Sequence, residues 1–244
     1  MKPELIERLN QINREFYSTF AESFSRTRPE SARELERILP YIADGARVLD
    51  VGCGNGRAAA LLARHRRDVT YVGVDTSEEL ISNFKFQISN NKEQAVFRVA
   101  DITRQDWIER LPGKPFDRIL VLAVLHHIPG YEARARLIRQ VRELLAPGGR
   151  AIVSTWQFMD SERMRKKIVP WSTVGIDERE LEPGDALLNW KRGGLGLRYC
   201  HQIGEDELRV LAAQAGLVVG EMFRAGGREG NLSLYGVLAV QRIR

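Results

Sequence analysis

A glycine-rich segment that begins with an acid, Asp50–Gly56 (DVGCGNG), has residue types and spacing suited to ligand binding. Glycine lets a loop turn sharply, and its missing side chain lets backbone N–H groups approach a ligand closely. Dinucleotide-binding folds use G-x-G-x-x-G to seat a pyrophosphate at a helix N-terminus. Here the pattern is D-x-G-x-G-x-G, and Asp50 would repel a pyrophosphate but would suit a ligand that carries an ammonium group. The chemistry therefore argues against NAD.

Polar residues recur where three later apolar runs end. Asp75 ends the second run, and a carboxylate there can accept hydrogen bonds from both hydroxyls of a ribose. Asp101 follows the third run, where it could accept a hydrogen bond from an adenine amino group. The fourth run ends in the segment 122–128, at the carboxyl edge where open α/β sheets place ligands. Either acid alone is more often a helix cap or turn residue, but the signals taken in order predict one nucleoside-binding site.

The elements that must position these residues follow an alternating pattern from Arg47 onward. Short apolar runs predict strands at 48–51, 69–74, 96–99, 119–124 and 151–155, and the stretches 57–65, 77–88 and 132–146 predict helices. Strands that alternate with helices at this spacing indicate βαβ units and a mainly parallel sheet. Residues 147–149 (Pro-Gly-Gly) predict a turn between a helix and the next strand. A helix at 205–215 and strands near 217–224 and 234–241 complete the pattern, with the last strand antiparallel.

Two segments lie outside this alternation. Near the N-terminus, helical spacing predicts helices at 4–24 and 30–39, with Pro29 in the first turn of the second helix and Pro40 at its end. The stretch 158–204 is basic, contains tryptophans, and is expected to cover the active site. The predicted organisation is an N-terminal helical cap at 1–43, a core formed by 44–157 and 205–244, and an insertion at 158–204 that belongs to the same domain.

Composition limits the function classes. The 244 residues are 43% hydrophobic and 28% charged, which is typical of a folded protein with a real core. The two cysteines, Cys53 and Cys200, predict neither a disulfide framework nor a zinc site, and no metal is expected. The first residues lack an apolar signal region, and no apolar run approaches the length that spans a bilayer, so we expect a cytoplasmic protein. The net charge of +5 and the pI near 9.4 favour a polyanionic partner such as RNA, although a basic background would explain them equally well.

The combination of glycine loop, acids and strand ends resembles the class I methyltransferases over about residues 44–157 and 205–242. The resemblance implies an α/β, Rossmann-like fold: a seven-stranded, mostly parallel sheet with helices on both faces and an antiparallel last strand. It also implies S-adenosylmethionine as the cofactor. The residues expected to bind this cofactor are Tyr17, Arg28, Asp50, Gly52, Cys53, Gly54, Asn55, Gly56, Asp75, Thr76, Asp101, Ile102, Ala123, Val124 and His127.

Four further motifs resemble the tRNA wobble-uridine carboxymethyl methyltransferases, which convert 5-carboxymethyluridine to its methyl ester. The motifs are FYSTFAESFSRTR at 16–28, GDALLNW at 184–190, RYCH at 198–201 and GNLSLYGVL at 230–238. Two positions depart from the family pattern, since Cys200 replaces a tyrosine and Asn189 replaces a proline. The resemblance implies tRNA as the substrate. It also implies a small zinc-binding activator that pairs with the sheet edge at 95–100, unless Arg98 blunts that edge.

The acceptor chemistry points to arginine. A carboxylate acceptor is ionised at neutral pH and needs no strong general base, but its anion must be held, which a guanidinium fork does well. The arginines that could hold it are Arg26, Arg28, Arg198 and Arg228. We predict catalytic roles for Arg28, Arg198 and His126, although His126 could instead pack beside the cofactor.

Other interpretations of the same residues stay open at this point. Trp171 and Trp190 could stack on bases or could anchor the insertion to the core. The spacing of Tyr17 with Phe20 and Phe24 suits a helix core as well as a cofactor cover. The chain could also be a methyltransferase that acts on the oxygen or nitrogen of a small molecule, or a cofactor-binding regulator without catalysis.

Overall fold

A computed structural model of the protein describes residues 1–27, 33–85 and 95–241. The helices are α1 (Pro3–Arg26), α2 (Arg33–Glu36), α3 (Arg57–His65), α4 (Glu78–Lys85), α5 (Tyr131–Leu144), α6 (Glu162–Arg165) and α7 (Glu205–Gln214). The strands are β1 (Arg47–Val51), β2 (Thr70–Asp75), β3 (Ala95–Val99), β4 (Phe116–Leu122), β5 (Leu145–Trp156), β6 (Ile168–Val169), β7 (Asp185–Trp190), β8 (Gly196–His201), β9 (Leu217–Ala225) and β10 (Ser233–Val240). Within these residues, no helix has the length and apolar content that crossing a bilayer requires.

Seven strands form the central sheet in the order β3-β2-β1-β4-β5-β10-β9. Strands β1 to β5 pair in parallel, and β10 lies antiparallel between β5 and β9. The central strands are apolar on both faces because helices cover both. Leu49 and Val121 pack toward α5 and α7, whereas Val48 and Leu120 pack toward α3. The predicted fold class, including the antiparallel last strand, is confirmed.

The insertion forms a second, three-stranded antiparallel sheet in the order β6-β7-β8. The 24-residue helix α1 lies against it, because its apolar stripe needs a partner that the main sheet does not provide. Leu5 and Leu9 pack with Trp171, and Phe16 packs with Trp190. Both tryptophans are therefore buried anchors between the insertion and α1. The domain limits drawn from the sequence remain a prediction.

Two local predictions differ from the structure, and a third is tested only in part. The helix expected at 30–39 ends early, since α2 stops at Glu36 and Pro40 lies inside a 3-10 turn, Leu39–Tyr41, where its missing N–H costs nothing. The predicted start of this helix, with Pro29 in its first turn, lies outside the described residues. The segment 147–149 lies within the bounds of β5, which begins at Leu145 directly after α5. The end of the helix predicted at 77–88 falls outside the described residues, and α4 is described to Lys85.

One edge of the main sheet is β3, and the other is β9. Among the described residues β3 pairs only with β2, and Val99 at its end is 47% exposed. This agrees with the edge position predicted for the segment 95–100. The activator protein expected to pair there stays a prediction.

Candidate active site

A cavity opens at the carboxyl ends of β1, β2 and β4, where α1 covers the sheet. We call it the first cavity. Its lining comes from the glycine loop, the strand ends and α1: Asn10, Asn13, Arg14, Tyr17, Phe24, Gly52, Gly54, Asp75, Thr76, Leu80, Asp101, Ile102, Thr103, Leu122, Ala123, Val124, His127 and Ile128. Most of the predicted cofactor residues are among them, whereas Asp50, Cys53, Asn55 and Gly56 belong to the loop but do not line the wall.

Asp75 ties the glycine loop to the end of β2. Its Oδ2 accepts a hydrogen bond from the Gly54 N–H at 2.8 Å, and its Oδ1 accepts one from the Ser77 N–H at 2.9 Å. Burial raises the pKa of the Asp75 carboxyl, and these backbone donors oppose the shift. The carboxylate therefore holds the loop in place and also forms part of the cavity wall.

Asp101 and its neighbours form the far end of the first cavity. The Oδ1 atom of Asp101 accepts hydrogen bonds from the backbone N–H of Thr103 at 2.9 Å and from its hydroxyl at 2.6 Å. This turn holds Ile102 against the core, where it is buried. A carboxylate beside an apolar side chain at this strand end can receive the edge and the face of a flat heterocycle.

Gly52 allows the loop to approach the end of β4. Its φ is +73°, and a Cβ there would lie 2.3 Å from Cγ2 of Val124. Such a contact is impossible without movement of the loop or of Val124. Only glycine fits this position, so the wall of the first cavity is shaped by this missing side chain.

Gly52→Ala is expected to weaken cofactor binding because the new methyl group must displace the loop or Val124. Overpacking costs about 1–3 kcal/mol, and a left-handed backbone adds about 1–2 kcal/mol for a residue with a Cβ. Calorimetric titration with S-adenosylmethionine measures the effect. Gly45→Ala is the matched control, since its φ is +70° and no atom lies within 4 Å of the new Cβ. Equal affinity in the two variants would contradict the steric argument.

Asp50 lies behind the glycine loop and is 3% exposed. It accepts a hydrogen bond from the Tyr71 hydroxyl at 2.6 Å. Burial raises its pKa to about 7, and the nearby Asp75 carboxylate adds to the shift, while Tyr71 and Arg57 oppose it. The direct contact with a ligand ammonium group that the sequence suggested stays a prediction, since this side chain does not line the first cavity.

The raised pKa makes Asp50 a source of pH-dependent stability. A carboxyl with a higher pKa in the folded state binds its proton more tightly there, so its contribution is complete below about pH 4 and is lost as the pH rises through about 7. Asp50→Asn keeps an acceptor for Tyr71 but removes the titration. We expect the melting temperature of the ligand-free variant to exceed that of the wild type by a margin that grows from pH 5 to pH 8. A constant margin across this range would refute the shifted pKa.

Tyr17 and His127 form a hydrogen-bonded pair on the wall of the first cavity. The Tyr17 hydroxyl lies 2.9 Å from Nε2 of His127, whose Nδ1 lies 3.0 Å from the carbonyl oxygen of Tyr199. A carbonyl can only accept, so Nδ1 carries the proton and Nε2 accepts from Tyr17 in the neutral ring. The pair connects α1, the end of β4 and the insertion at one point.

Asn13 was not singled out from the sequence. Its Nδ2 donates to the carbonyl oxygen of His127 at 2.9 Å, and its Oδ1 accepts from the Tyr199 N–H at 2.8 Å. This buried amide joins α1 to both other elements. A polar residue on the apolar stripe between Leu9 and Phe16 was the signal that could have revealed it.

His126 points in another direction from His127. It is fully buried, its ring lies 4.8 Å from that of Trp156 between centroids, and its Nδ1 accepts from the Trp156 N–H at 3.3 Å. It does not line the first cavity. This position suits packing beneath the site, and the catalytic role expected for His126 stays a prediction.

Arg198 occupies an aromatic box. Its guanidinium carbon lies 4.5 Å from the ring centroid of Trp156, 5.1 Å from that of Phe16 and 5.6 Å from that of Trp190. The residue is 2% exposed, and its buried Nε and Nη1 atoms have no hydrogen-bond partner among the described residues. A buried guanidinium with unused donors is costly unless an anion binds there.

The other arginines predicted to hold an acceptor differ from Arg198. Arg26 is exposed and pairs with Glu22 at 3.2 Å, and Arg228 is exposed. Arg28, predicted both to bind the cofactor and to act in catalysis, lies outside the described residues. Of the three predicted acceptor-holding arginines that the structure describes, Arg26, Arg198 and Arg228, only Arg198 is buried.

A second cavity adjoins the first and shares Leu122 and Ala123 with it. Trp156, one wall of the Arg198 box, also lines it, whereas Arg198 itself lines neither cavity. The remaining lining residues are Thr27, Glu34, Leu35, Arg57, Ser154, Gly226, Gly227, Leu232, Ser233 and Tyr235. The two cavities therefore meet at the end of β4, where Ala123 lies between them.

A network of charged residues joins the insertion to α5 and α7. Arg134 pairs with Glu182 at 2.7 Å and Glu207 at 3.0 Å, while His201 contacts Asp185 at 2.7 Å and Glu207 at 2.9 Å. Burial lowers the pKa of His201, but the hydrogen bonds with the two carboxylates outweigh it and raise the pKa overall. Glu182, Asp185 and His201 are close enough to hold a metal ion, yet their donor atoms already bind these partners.

Comparisons with known proteins agree with this geometry. A family model described as a methyltransferase domain matches residues 24–221. The chain is 32% identical over 167 residues to the 27-O-demethylrifamycin SV methyltransferase of Amycolatopsis mediterranei, covering 63% of this chain and 57% of that protein. It is 29% identical over 163 residues to the tRNA (carboxymethyluridine(34)-5-O)-methyltransferase of Arabidopsis thaliana, covering 66% of this chain and 37% of that protein.

A solved structure shares the fold. The magnesium protoporphyrin IX methyltransferase of Synechocystis PCC 6803, with bound S-adenosylmethionine, has a TM-score of 0.62 at 16% identity and covers 95% of this chain and 97% of that one. The chain spans little more than half the length of the curated relatives described, or less. Because the family model covers most of the chain and the site lies at the expected strand ends, the protein belongs to the class I S-adenosylmethionine-dependent methyltransferase family.

Proposed function

We propose that this protein transfers a methyl group from S-adenosylmethionine to the carboxylate of 5-carboxymethyluridine at the wobble position of tRNA. The observation that carries the proposal is the Arg198 box, where buried Nε and Nη1 donors have no partner among the described residues. Each of these N–H donors can make a charge-assisted hydrogen bond to a carboxylate oxygen, and the surrounding rings exclude water. The relative from Arabidopsis thaliana carries a name that describes this type of acceptor.

The first cavity fits the cofactor. Gly52 and Gly54 would allow the methionine part to approach the loop, and Asp75 would accept from the ribose hydroxyls. The wall formed by Asp101 and Ile102 would take the adenine. The cradle is shaped by a glycine at which a Cβ would collide with Val124, as expected where a ligand must pass close to the backbone. When bound, S-adenosylmethionine supplies a methyl group on a positively charged sulfur, which leaves with the electron pair of the broken carbon–sulfur bond.

The residues of the protein would then position the acceptor for attack on the methyl group. Arg198 would hold the carboxylate and leave one oxygen able to attack in line, which is the main requirement of this reaction. No proton has to be removed, because the acceptor is already ionised at neutral pH. Tyr17 and Asn13 would hold α1 over the site and exclude water from it.

One observation favours a second function, methylation of a hydroxyl on a small molecule. Nε2 of His127 accepts from the Tyr17 hydroxyl, so a proton from a neutral acceptor could pass through Tyr17 to the imidazole. The relative from Amycolatopsis mediterranei is named as an O-methyltransferase of this general type. A carboxylate acceptor would not need this relay.

Mass spectrometry of nucleosides tests the proposal. Purified protein and S-adenosylmethionine are incubated with tRNA that contains 5-carboxymethyluridine, and the methyl ester is measured after digestion. We expect the ester to appear, with Asp75→Ala as the inactive control. Unchanged nucleosides, together with methylation of a small phenol or alcohol by the same preparation, would replace the proposal by the second function.

A further inference from the structure

Two basic side chains of the insertion, those of Lys167 and Arg198, lie against the ring of Trp190. The Lys167 Nζ lies 6.0 Å from the ring centroid of Trp190, and the Arg198 guanidinium carbon lies 5.6 Å from the same centroid. The indole N–H donates to the carbonyl oxygen of Arg192 at 2.5 Å, which places the turn after β7 beside this ring. Arg163, on α6, is close enough to perturb Lys167. We call Arg163, Lys167, Arg192 and Arg198 the cationic cluster.

The cationic cluster lacks compensating acids. None of its four members forms an ion pair in the part of the chain that the structure describes, although the neighbouring Lys166 pairs with Glu162 at 2.6 Å. Burial lowers the pKa of Lys167, and the charges of Arg198, Arg163 and Arg192 lower it further. Like charges gathered without acids repel one another, so their arrangement suits the binding of anions.

The members of the cationic cluster differ in exposure. Arg163 and Arg192 are exposed, Lys167 is half-buried, and Arg198 is buried in its aromatic box. The cluster therefore combines cations at the surface with a buried guanidinium that has unused donors. A single carboxylate would bind only Arg198, the buried member of the cationic cluster. A ligand that satisfies the whole cluster has one acid that enters and further negative charges that remain outside, as in a nucleotide within a strand.

We propose that Arg163, Lys167 and Arg192 bind the phosphodiester groups of RNA on either side of the acceptor nucleotide, while Arg198 receives that nucleotide's acid group. The inference rests on the proposed function for the identity of the acceptor. The phosphate contacts follow from the outer cations alone. Lysine and arginine side chains near a surface are the common partners of phosphate oxygens, and Trp190 keeps the inner members in place.

RNA binding of single variants tests the site. The probe is an unmodified anticodon stem-loop RNA, and its dissociation constant is measured at several salt concentrations for Arg163→Gln, Lys167→Gln and Arg192→Gln. Each variant is expected to bind about 3- to 10-fold more weakly, and the slope of log affinity against log salt is expected to fall by about 0.7 to 0.9 for each phosphate that the variant no longer neutralises. Lys166→Gln is the matched control, because it removes the same charge from the same segment but from an exposed ion pair. The control should bind like the wild type.

The outcomes separate this inference from the proposed function. Cluster variants that bind RNA like Lys166→Gln overturn the phosphate site, even if the wild type methylates tRNA. Weaker RNA binding by the cluster variants, but not by the control, supports the phosphate site. If the wild type then transfers no methyl group to carboxymethyluridine, the proposed acceptor is wrong but the phosphate site still stands. Competition by polyglutamate as strong as competition by RNA would indicate an acidic protein as the partner and would overturn the inference.

Discussion

Arg198→Met is expected to lower kcat/KM for a carboxylate acceptor by about 100- to 1,000-fold, because a charge-assisted contact to a buried anion is worth about 2–5 kcal/mol. The same change should leave the fold intact. Methionine fills a similar space among Phe16, Trp156 and Trp190, and it removes a buried cation with unused donors. We therefore expect the melting temperature to equal or exceed that of the wild type.

Two further variants sharpen this experiment. Arg198→Lys keeps the charge but removes the planar fork, so its activity should lie between those of the wild type and Arg198→Met. Arg179→Met is the matched control, since Arg179 lies in the same insertion but is exposed and pairs with Asp177 at 2.6 Å. Wild-type turnover by Arg198→Met would show that the acceptor anion is held elsewhere.

Asp75→Ala is expected to weaken S-adenosylmethionine binding by at least about 100-fold. The change removes the acceptor predicted for the ribose hydroxyls and also the bonds to the N–H groups of Gly54 and Ser77. Hydrogen bonds to a charged group contribute about 1.5–3 kcal/mol each. The variant loses both the anchor of the glycine loop and the hydrogen-bond acceptor for the ligand, so both losses weaken cofactor binding. Isothermal titration calorimetry measures the affinity.

The structure offers a close control for Asp75. Asp117 also accepts a backbone hydrogen bond between strands, from the Arg47 N–H at 2.8 Å, but it does so at the amino end of β1, away from the cavities. Asp117→Ala should therefore lower stability and keep the affinity for the cofactor. If Asp75→Ala also keeps that affinity, Asp75 does not hold the ribose.

Local sequence patterns were sufficient to predict the glycine loop and the acids at the strand ends. Parallel strands place their carboxyl ends at one edge, so Asp75 and Asp101 had to lie near Gly52 once the alternation of strands and helices was recognised. Adjacent residues were harder to distinguish. His126 and His127 share a 3-10 turn that directs one ring into the core and the other onto the cavity wall, and no periodicity in the sequence separates them.

Contacts between distant segments could not be predicted in this way. Asn13 binds the Tyr199 backbone across 186 positions of the chain, and Arg57 and Trp156 line the same cavity although they are far apart in sequence. The helix predicted at 30–39 was too long because apolar spacing in a short segment also suits a chain that turns across the sheet. Such positions depend on how α1 and the insertion pack on the core.

The sequence by itself determined the alternation of strands and helices in the main sheet, the glycine loop and the acids at the strand ends, since each follows from local spacing and backbone geometry. It did not predict the three strands of the insertion. The tertiary structure decided which arginine is buried with hydrogen-bond donors left for an anion. A charge is compensated or left unpaired according to the carboxylates that folding brings near it, and such neighbours are remote in sequence. Arg134 finds two acids, whereas Arg198 finds aromatic rings and keeps donors for an anion.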